Sequence, residues 1–315
     1  MKPLLPFPTW SNTMTKLIGL LMVVGLWSGC GKEIEVVVEG NEEYEIYRDE
    51  TNNNPIRHGY YKKYYPDKSY DTTGNFVDGK QEGKWVGYHE NGQVSYDENY
   101  IDGKREGKWV WYHPNGQVSY DENYIDGKRE GKWVEYRPNG QVKWERNYVG
   151  GKREGKQVYY YEDGKVKFER NYVDGELEGK WVEYHPNGQV KWERNYVGGK
   201  REGKQVSYHE NGQVKSEGNF VDGELEGKGV GYHENGQVEW EENYVGGKEE
   251  GKWVWYHENG QVEVEIDYVD GKREGKFVRY DEDGNITDED IWKDGECVEM
   301  CEGEEEDVPE DPHPS

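Results

Sequence analysis

The fold is decided by a 24-residue stretch that runs from Gly107 to Glu130 and reads GKWVWYHPNGQVSYDENYIDGKRE. Variants of this stretch follow one another without insertions, and Gly59 opens a degenerate first copy, so the chain holds ten units. A fixed period of this size is typical of an array in which each unit packs against its neighbours. The glycines that open the other nine units are Gly83, Gly107, Gly131, Gly155, Gly179, Gly203, Gly227, Gly251 and Gly275.

Each unit has the pattern of a β-hairpin. In the quoted unit, two runs rich in Val, Tyr and Trp are separated by Pro114-Asn115-Gly116 and closed by the polar segment 126–130. Pro and Asn suit the central positions of a type I turn, and Gly116 can take the left-handed conformation that closes a three-residue loop with a bulge. The sequence therefore predicts two antiparallel strands for every unit.

The predicted turn also predicts a register, with Tyr112 opposite Val118 and Val110 opposite Tyr120. Side chains alternate between the faces of a strand, so each hairpin has two faces. The first is predicted to carry Val110, Tyr112, Val118, Tyr120 and Tyr124, and the second Trp109, Trp111, Ser119, Asp121, Asn123 and Ile125. We expect the first face to be buried, because Val and Tyr recur in its slots while the slot of Trp111 changes from unit to unit.

Ten hairpins in series predict an all-β protein, an elongated single-layer antiparallel β-meander. Because neighbouring strands twist by roughly 20 to 25 degrees, we expect the sheet to curl into a half-pipe with the Val and Tyr face on its concave side. The predicted organisation is a signal peptide over 1–30, an N-terminal extension that caps the array over 31–58, the repeat array over 59–301, and an acidic disordered tail over 302–315.

The charge of the chain excludes some classes of partner. Lys and Arg number 40 against 66 Asp and Glu, which gives a formal net charge of -26. Nucleic acid is an improbable partner because its binding depends on cations that neutralise phosphates. An anionic membrane surface is disfavoured for the same reason.

The amino terminus is typical of an exported protein. Lys16 is followed by an apolar run, Leu17 to Leu26, and then by Trp27-Ser28-Gly29-Cys30. Small residues before a cysteine resemble the lipobox of bacterial lipoproteins, which predicts lipidation of Cys30 and anchoring in the cell envelope through lipid rather than a spanning helix. The alternative is an ordinary signal peptide and a secreted protein.

The two other cysteines lie in the last, degenerate unit. Cys297 and Cys301 form an even pair in a chain predicted to be exported, which favours a disulfide. The alternative is a metal or redox pair, but no partner ligands accompany the C-x-x-x-C spacing.

The units resemble the MORN repeat in its bacterial variant. The pattern is complete from Gly131 to Gly140, GKWVEYRPNG, with Tyr148 and Gly151 at their expected places, and the resemblance covers 59–295. It implies antiparallel hairpin arrays that serve as scaffolds or binding surfaces, with no catalytic residues. Bacterial members are similar to proteins labelled as antitoxins of toxin–antitoxin systems, the YwqK-like group, so toxin binding is one alternative function.

Residues that could carry chemistry recur from unit to unit, which favours structural roles. Histidines of one slot lie two strands apart, roughly 9 to 10 Å, too far to share one metal ion. The recurring carboxylates lack the oxygen spacing of a calcium loop. We therefore predict no enzymatic activity, no cofactor and no metal site. The repeated histidines are His89, His113, His185, His209, His233 and His257.

Tryptophans on the variable face are the predicted partner-binding residues. Pairs on alternate positions, such as Trp109 with Trp111, would be costly to expose unless a partner covers them. A protein partner is ranked first and carbohydrate second, since flat aromatic rings stack on sugars. The candidates are Trp85, Trp109, Trp111, Trp133, Trp181, Trp253 and Trp255. Their structural alternative is that they shield the sheet backbone.

Overall fold

The computed structural model describes the backbone of residues 26–27 and the full residues 33–299. These residues divide into two compact units, one built by the chain up to Lys128 with Pro138–Gly140, the other by Arg129–Arg137 and the chain from Gln141 on. Both units consist of antiparallel strands and turns, so the predicted all-β array of 24-residue hairpins is confirmed. No helix capable of crossing a membrane occurs in the described ranges.

The first unit is an antiparallel meander in which sequential strands pair. A hairpin formed by β2 and β3 precedes the repeats and pairs with β4, the first strand of the degenerate copy. The strands are β1 Leu26–Trp27, β2 Glu33–Glu39, β3 Glu42–Arg48, β4 Pro55–Tyr64, β5 Tyr70–Val77, β6 Lys80–Tyr88, β7 Val94–Ile101, β8 Lys104–Arg105, β9 Gly107–Tyr112 and β10 Val118–Ile125, followed at the sequence boundary by β11 Lys128–Arg129.

The second unit continues the same hairpin pattern to the last described residue. Its strands are β12 Gly131–Tyr136, β13 Val142–Val149, β14 Lys152–Arg153, β15 Gly155–Tyr160, β16 Val166–Val173, β17 Glu176–Leu177, β18 Gly179–Tyr184, β19 Val190–Val197, β20 Lys200–Arg201, β21 Gly203–Tyr208, β22 Val214–Val221, β23 Glu224–Leu225, β24 Gly227–Tyr232, β25 Val238–Val245, β26 Lys248–Glu249, β27 Gly251–Tyr256, β28 Val262–Val269, β29 Lys272–Tyr280, β30 Ile286–Lys293 and β31 Glu296–Glu299.

The predicted hairpin turn is confirmed. The backbone amide of Gly116 donates to the carbonyl of His113 at 2.8 Å, and the amide of His113 donates to the carbonyl of Gln117 at 2.7 Å. Gly116 has a φ of 81°, in the left-handed region that glycine adopts at little cost. The other end of the hairpin closes through Asp126 and Gly127, both with positive φ, as a two-residue type I′ turn requires.

The predicted register is correct beside the turn and wrong beyond it. Val118 lies opposite Tyr112, but Tyr120 lies opposite Trp111 rather than Val110. Ser119 is an extra residue on its strand, a β-bulge that displaces the pairing by one position. From Tyr120 onward the side chains therefore change faces. The same shift recurs in the hairpins of the second unit, where Lys143 and Lys191 hold the bulge position.

Several predictions concern residues outside the described ranges. These are the signal peptide over 1–30, apart from Leu26 and Trp27 whose backbone pairs with β2, and the acidic tail over 302–315. Cys30 and Cys301 also lie outside. Cys297 is disulfide-bonded, and its pairing with Cys301 stays a prediction.

Candidate binding surface

The bulge gives every hairpin two faces with different chemistry. The aromatic face, as we call it, carries Trp109, Trp111, Tyr120, Glu122 and Tyr124 and their counterparts in other hairpins. The Tyr–Val face carries Lys108, Val110, Tyr112, Asp121, Asn123 and Ile125 and their counterparts. All the strong Trp contacts of the array lie on the aromatic face.

The prediction that the Val and Tyr face is the buried one is wrong. Trp109 is 0% exposed and Tyr124 is 3% exposed, whereas Val110 and Tyr112 are only half-buried. The ring of Trp109 lies 5.0 Å from that of Tyr100 and 5.1 Å from that of Tyr124, and its indole nitrogen donates to the carbonyl of Asn99 at 3.0 Å. The missed bulge is the physical reason, because it brings the tyrosines of the second strand under the tryptophans.

The predicted tryptophan surface is corrected by the same finding. Its members were expected on a free face, but most of them are core residues, and a buried ring offers no area to a partner. The buried ones are Trp85, Trp109, Trp133, Trp253 and Trp255, while Trp111 and Trp181 are half-buried. Shielding of the backbone, the structural alternative, describes the five buried rings.

On the Tyr–Val face, lysines pair with acidic side chains, and these pairs repeat from hairpin to hairpin. Lys108 pairs with Asp121 at 2.9 Å, and the same lysine-to-acid contact recurs in other hairpins, as Lys180 with Glu193 at 2.7 Å shows. The last residue of each long second strand is exposed, with Ile125 at 55%. This face therefore looks alike in every unit.

The histidines and carboxylates link neighbouring units. The Nε2 atom of His209 lies 2.7 Å from the carbonyl oxygen of Tyr232, one unit further on. The carboxylate of Glu154 accepts the backbone amide of Asp174 at 2.9 Å. In the described residues no group of three or more His, Cys, Asp or Glu could hold a metal ion.

An arginine patch distinguishes the second unit. Between positions 129 and 201, six arginines reach the aromatic face: Arg129, Arg146, Arg153, Arg170, Arg194 and Arg201. Arg129 is exposed and the others are half-buried. Arg48 and Arg57 form ion pairs elsewhere, but none of the six does so with any described residue. In a chain with a net charge of -26, these cations are left without a carboxylate.

The guanidinium groups of the patch stack on aromatic rings. Arg146 lies 4.0 Å from the ring centroid of Trp144 and 5.2 Å from that of Tyr159, to whose hydroxyl it also donates. Arg170 lies 5.6 Å from the same Tyr159 ring and 5.0 Å from Trp181. Tyr159 therefore joins two guanidiniums into one cluster.

The acids of this part of the face are already paired. Glu135 accepts from Lys143 at 2.8 Å, and Glu183 accepts from Lys191 at 3.0 Å. Both lysines occupy the bulge position. The arginines consequently keep their charge available to an outside anion.

Gln157 is the buried polar group inside the patch. It is 0% exposed, and neither its Oε1 nor its Nε2 has a hydrogen-bond partner. It lies opposite Arg170, whose Nε is also buried without a partner, as is that of Arg146. In this unit, glutamine occupies the position at which other units carry tryptophan.

Sequence reasoning missed the arginine patch, although a signal was present. The slot of Glu122 varies as strongly as the slot of Trp111, and arginine occupies it in three successive units. Along the chain it holds Glu98, Glu122, Arg146, Arg170, Arg194, Gly218, Glu242, Ile266 and Asp290. Only the bulge shows that this slot belongs to the aromatic face.

Comparison with solved structures gives weak likenesses. A porin-like protein from Bacteroides uniformis is 10% identical, with 69% of this chain and 91% of that chain covered and a TM-score of 0.15. A TcdB2-TccC3-TEV structure is 11% identical, with 84% and 17% covered and a TM-score of 0.16. TcdB2-TccC3 without its hypervariable C-terminal region is 10% identical, with 84% and 19% covered and a TM-score of 0.15. These scores carry no argument about fold or function.

No curated protein matches the sequence. The repeats, in contrast, match the MORN repeat variant at seven places. The matched residues are 81–102, 105–126, 129–149, 153–174, 177–197, 201–222 and 249–270. Together with the hairpin seen in each of these segments, the matches show that the chain belongs to the MORN repeat variant family.

Proposed function

We propose that the chain is a non-enzymatic binding scaffold of the bacterial cell envelope that engages a protein partner through its aromatic face. The proposal rests on the observation that some positions of the repeat keep one type of residue while other positions on the same face vary. The slot of Tyr124 stays aromatic in the repeats from Tyr100 to Trp292, while the slots of Trp111 and Glu122 change from unit to unit. Such an array suits recognition of an extended partner.

The recurring polar groups support a structural rather than a catalytic role. Glu106 accepts the backbone amide of Asp126 at 2.8 Å, and Asn115 donates to the carbonyl of Pro138 at 2.8 Å. Groups committed to backbone contacts hold neighbouring hairpins in register. Recognition of a partner therefore depends on the side chains that vary from unit to unit.

The envelope location rests on the sequence. The apolar run from Leu17 to Leu26, followed by Cys30, supports export and lipid anchoring. Metabolic labelling with a radioactive fatty acid tests this part of the proposal. Label in the wild type and none in Cys30→Ser is expected, and equal labelling of both would contradict it.

Photo-cross-linking tests the binding role and the face together. Tyr159 and Tyr160 are sequence neighbours with side chains on opposite faces, so benzoylphenylalanine at each position forms a matched pair. In the native cell we expect one protein to be captured from position 159 and not from position 160. The captured protein, once purified, should bind the wild-type chain in isolation.

A second matched pair extends the test by one hairpin. Glu183 lies on the aromatic face and Tyr184 on the Tyr–Val face. Capture of the same protein at position 183 would support an extended interface. Capture of glycan alone, or equal capture from both faces, would overturn the proposal.

A further inference from the structure

We infer that the arginine patch of the second unit binds an extended, carboxylate-bearing segment of the partner protein. The inference rests on the proposed function and adds the chemistry of what is bound. Guanidinium groups hold carboxylates through two parallel hydrogen bonds, a geometry that ammonium groups cannot reproduce. The patch supplies these groups on a face whose own acids, Glu135 and Glu183, already pair with lysines.

The spacing of the arginines fits an extended chain. Arg146, Arg170 and Arg194 occupy equivalent slots in successive hairpins, which lie two strands or roughly 9 to 10 Å apart. A peptide in the extended polyproline II conformation advances about 3.1 Å per residue with three residues per turn, so every third side chain recurs on the same side at about 9.3 Å. A segment crossing the strands can therefore place one acidic residue beside each arginine.

Aromatic stacking prepares the guanidiniums for this contact. Arg194 lies 4.3 Å from the ring centroid of Trp192. The Trp192 ring lies 5.0 Å from that of Trp181, on which Arg170 stacks. Rings beneath the guanidiniums restrict their motion, which lowers the entropy lost on binding. The stacked planes leave terminal N–H groups that can donate to an outside carboxylate.

The same stacking disfavours a sugar polymer. Carbohydrate recognition by aromatic rings uses the flat ring face, and here guanidiniums cover the faces of Trp144 and Trp181. An anionic polysaccharide still offers carboxylates, so the experiment includes one.

Gln157 gives an independent indication that the cluster lacks a ligand. Its amide is fully buried on a strand position opposite Arg170, and all of its hydrogen-bonding capacity is unused. Unpartnered buried amides are rare and costly in native proteins. The unused amide therefore marks this hairpin as a place where stability is given up, as expected beside a recognition site.

The test uses the full chain and a fluorescein-labelled peptide of four Glu-Ser-Ser repeats, measured by fluorescence polarisation at about 0.15 M salt. The same peptide with Gln in place of Glu is the ligand control. We expect binding of the Glu peptide only. The triple variant Arg146→Gln, Arg170→Gln and Arg194→Gln should weaken it at least about tenfold, which corresponds to about 1.4 kcal/mol.

A triple variant on the other face controls for net charge. Lys132→Gln, Lys156→Gln and Lys180→Gln remove the same charge from the same hairpins on the Tyr–Val face, where each lysine pairs with a glutamate. We expect less than about a threefold change. Unchanged thermal melting of both triple variants confirms that each is folded. A second arginine variant combines Arg146→Lys, Arg170→Lys and Arg194→Lys. It should also bind the Glu peptide more weakly, because it keeps the positive charge but loses the paired N–H donors of the guanidinium.

Three results would overturn the inference. They are no binding of the Glu peptide, equal losses in the arginine and lysine triple variants, or tighter binding of oligogalacturonate than of the peptide. These results are distinguishable from failure of the proposed function. If one protein is cross-linked at position 159 and the Glu peptide does not compete with it, the proposal of protein binding stands and the acidic segment is rejected.

Discussion

Gln157 lies directly opposite Arg170 across the β15–β16 hairpin, and both side chains carry polar atoms buried without a hydrogen-bond partner. Other units place tryptophan at the position of Gln157, as in Trp133 and Trp181. A local departure from the packing rule of the array thus coincides with the arginine patch. Such departures are expected where a protein trades stability for recognition.

Replacement of Gln157 should stabilise the free protein. Gln157→Met keeps the side-chain volume and removes an unpartnered buried amide, whose burial costs about 1 to 3 kcal/mol. We expect the free energy of unfolding in urea to rise by about 1 kcal/mol. Ser207→Ala, at another position of the aromatic face where the hydroxyl does have a partner in Ser216, is the control and should not stabilise. A loss of stability in Gln157→Met would show that the amide is satisfied.

Loss of a tryptophan from the aromatic face should be severe. Trp109 is fully buried and contacts the rings of Tyr100 and Tyr124, so Trp109→Ala should lower the free energy of unfolding by about 3 to 5 kcal/mol. Ile125→Ala, at a side chain 55% exposed, should change it by less than about 0.5 kcal/mol. Similar values for the two variants would mean that the faces are assigned wrongly.

The carboxylates that cap the turns should matter more than the ion pairs beside them. Glu154 accepts the backbone amide of Asp174, a charge-assisted bond, so Glu154→Ala should cost about 1 to 2 kcal/mol of unfolding free energy. Lys152 forms an exposed ion pair with the side chain of the same aspartate, and Lys152→Ala should cost clearly less than Glu154→Ala because solvent and salt screen the pair. Chemical denaturation of the two variants gives both values, and the reverse order would contradict this account of the links.

A half-buried acid, Glu98, predicts a pH dependence in the first unit. Burial raises the pKa of Glu98 above its ordinary value of 4.5, while the hydroxyl of Tyr100 donates to it at 3.0 Å. A raised pKa in the folded state means that the stability provided by the protonated acid is lost as pH rises through that pKa. Glu98→Gln can still accept from Tyr100 without burying a charge.

We therefore expect the melting temperature of Glu98→Gln to exceed that of the wild type by a margin that widens from pH 4.5 toward neutrality. Glu90→Gln, at an exposed residue of the adjacent turn, is the control for the loss of one carboxylate. Thermal melts of the three proteins over this pH range decide the matter. A margin that shrinks with rising pH would exclude burial of the acid as the cause.

The acidic tail should be dispensable for folding. Its composition over 302–315 predicts disorder, so truncation at Gly303 should leave the melting temperature unchanged. A large fall in the melting temperature of the truncated protein, measured beside the full chain, would refute the prediction.

The sequence predicts the hairpins well because their turns have strong local preferences. Pro114-Asn115-Gly116 allows few conformations, and the turn seen in the structure is the predicted one. The bulge has no comparable signal, since its position holds Ser119, Lys143 or Thr287 in different hairpins. One unpredicted residue per hairpin was enough to exchange the faces.

The unpredicted bulge also explains why the predicted tryptophan surface was wrong. Trp109 and Trp253 were expected to face a partner, and both are buried under neighbouring rings. The arginines of the patch could have been found by comparing the Glu122 slot along the chain, but their common face with Trp144 and Tyr159 depends on the shifted pairing. Local sequence preferences identify turns, whereas faces depend on cross-strand geometry.

Hydroxyl-radical footprinting of the free protein tests the assignment of faces most directly, because every functional proposal depends on it. Oxidation rates are measured residue by residue by mass spectrometry, against the urea-unfolded chain. We predict strong protection of Trp109, Trp133 and Trp253, together with rapid oxidation of the exposed Ile125 and Val149. Rapid oxidation of the three tryptophans would contradict the aromatic face as the packed side and return them to the surface.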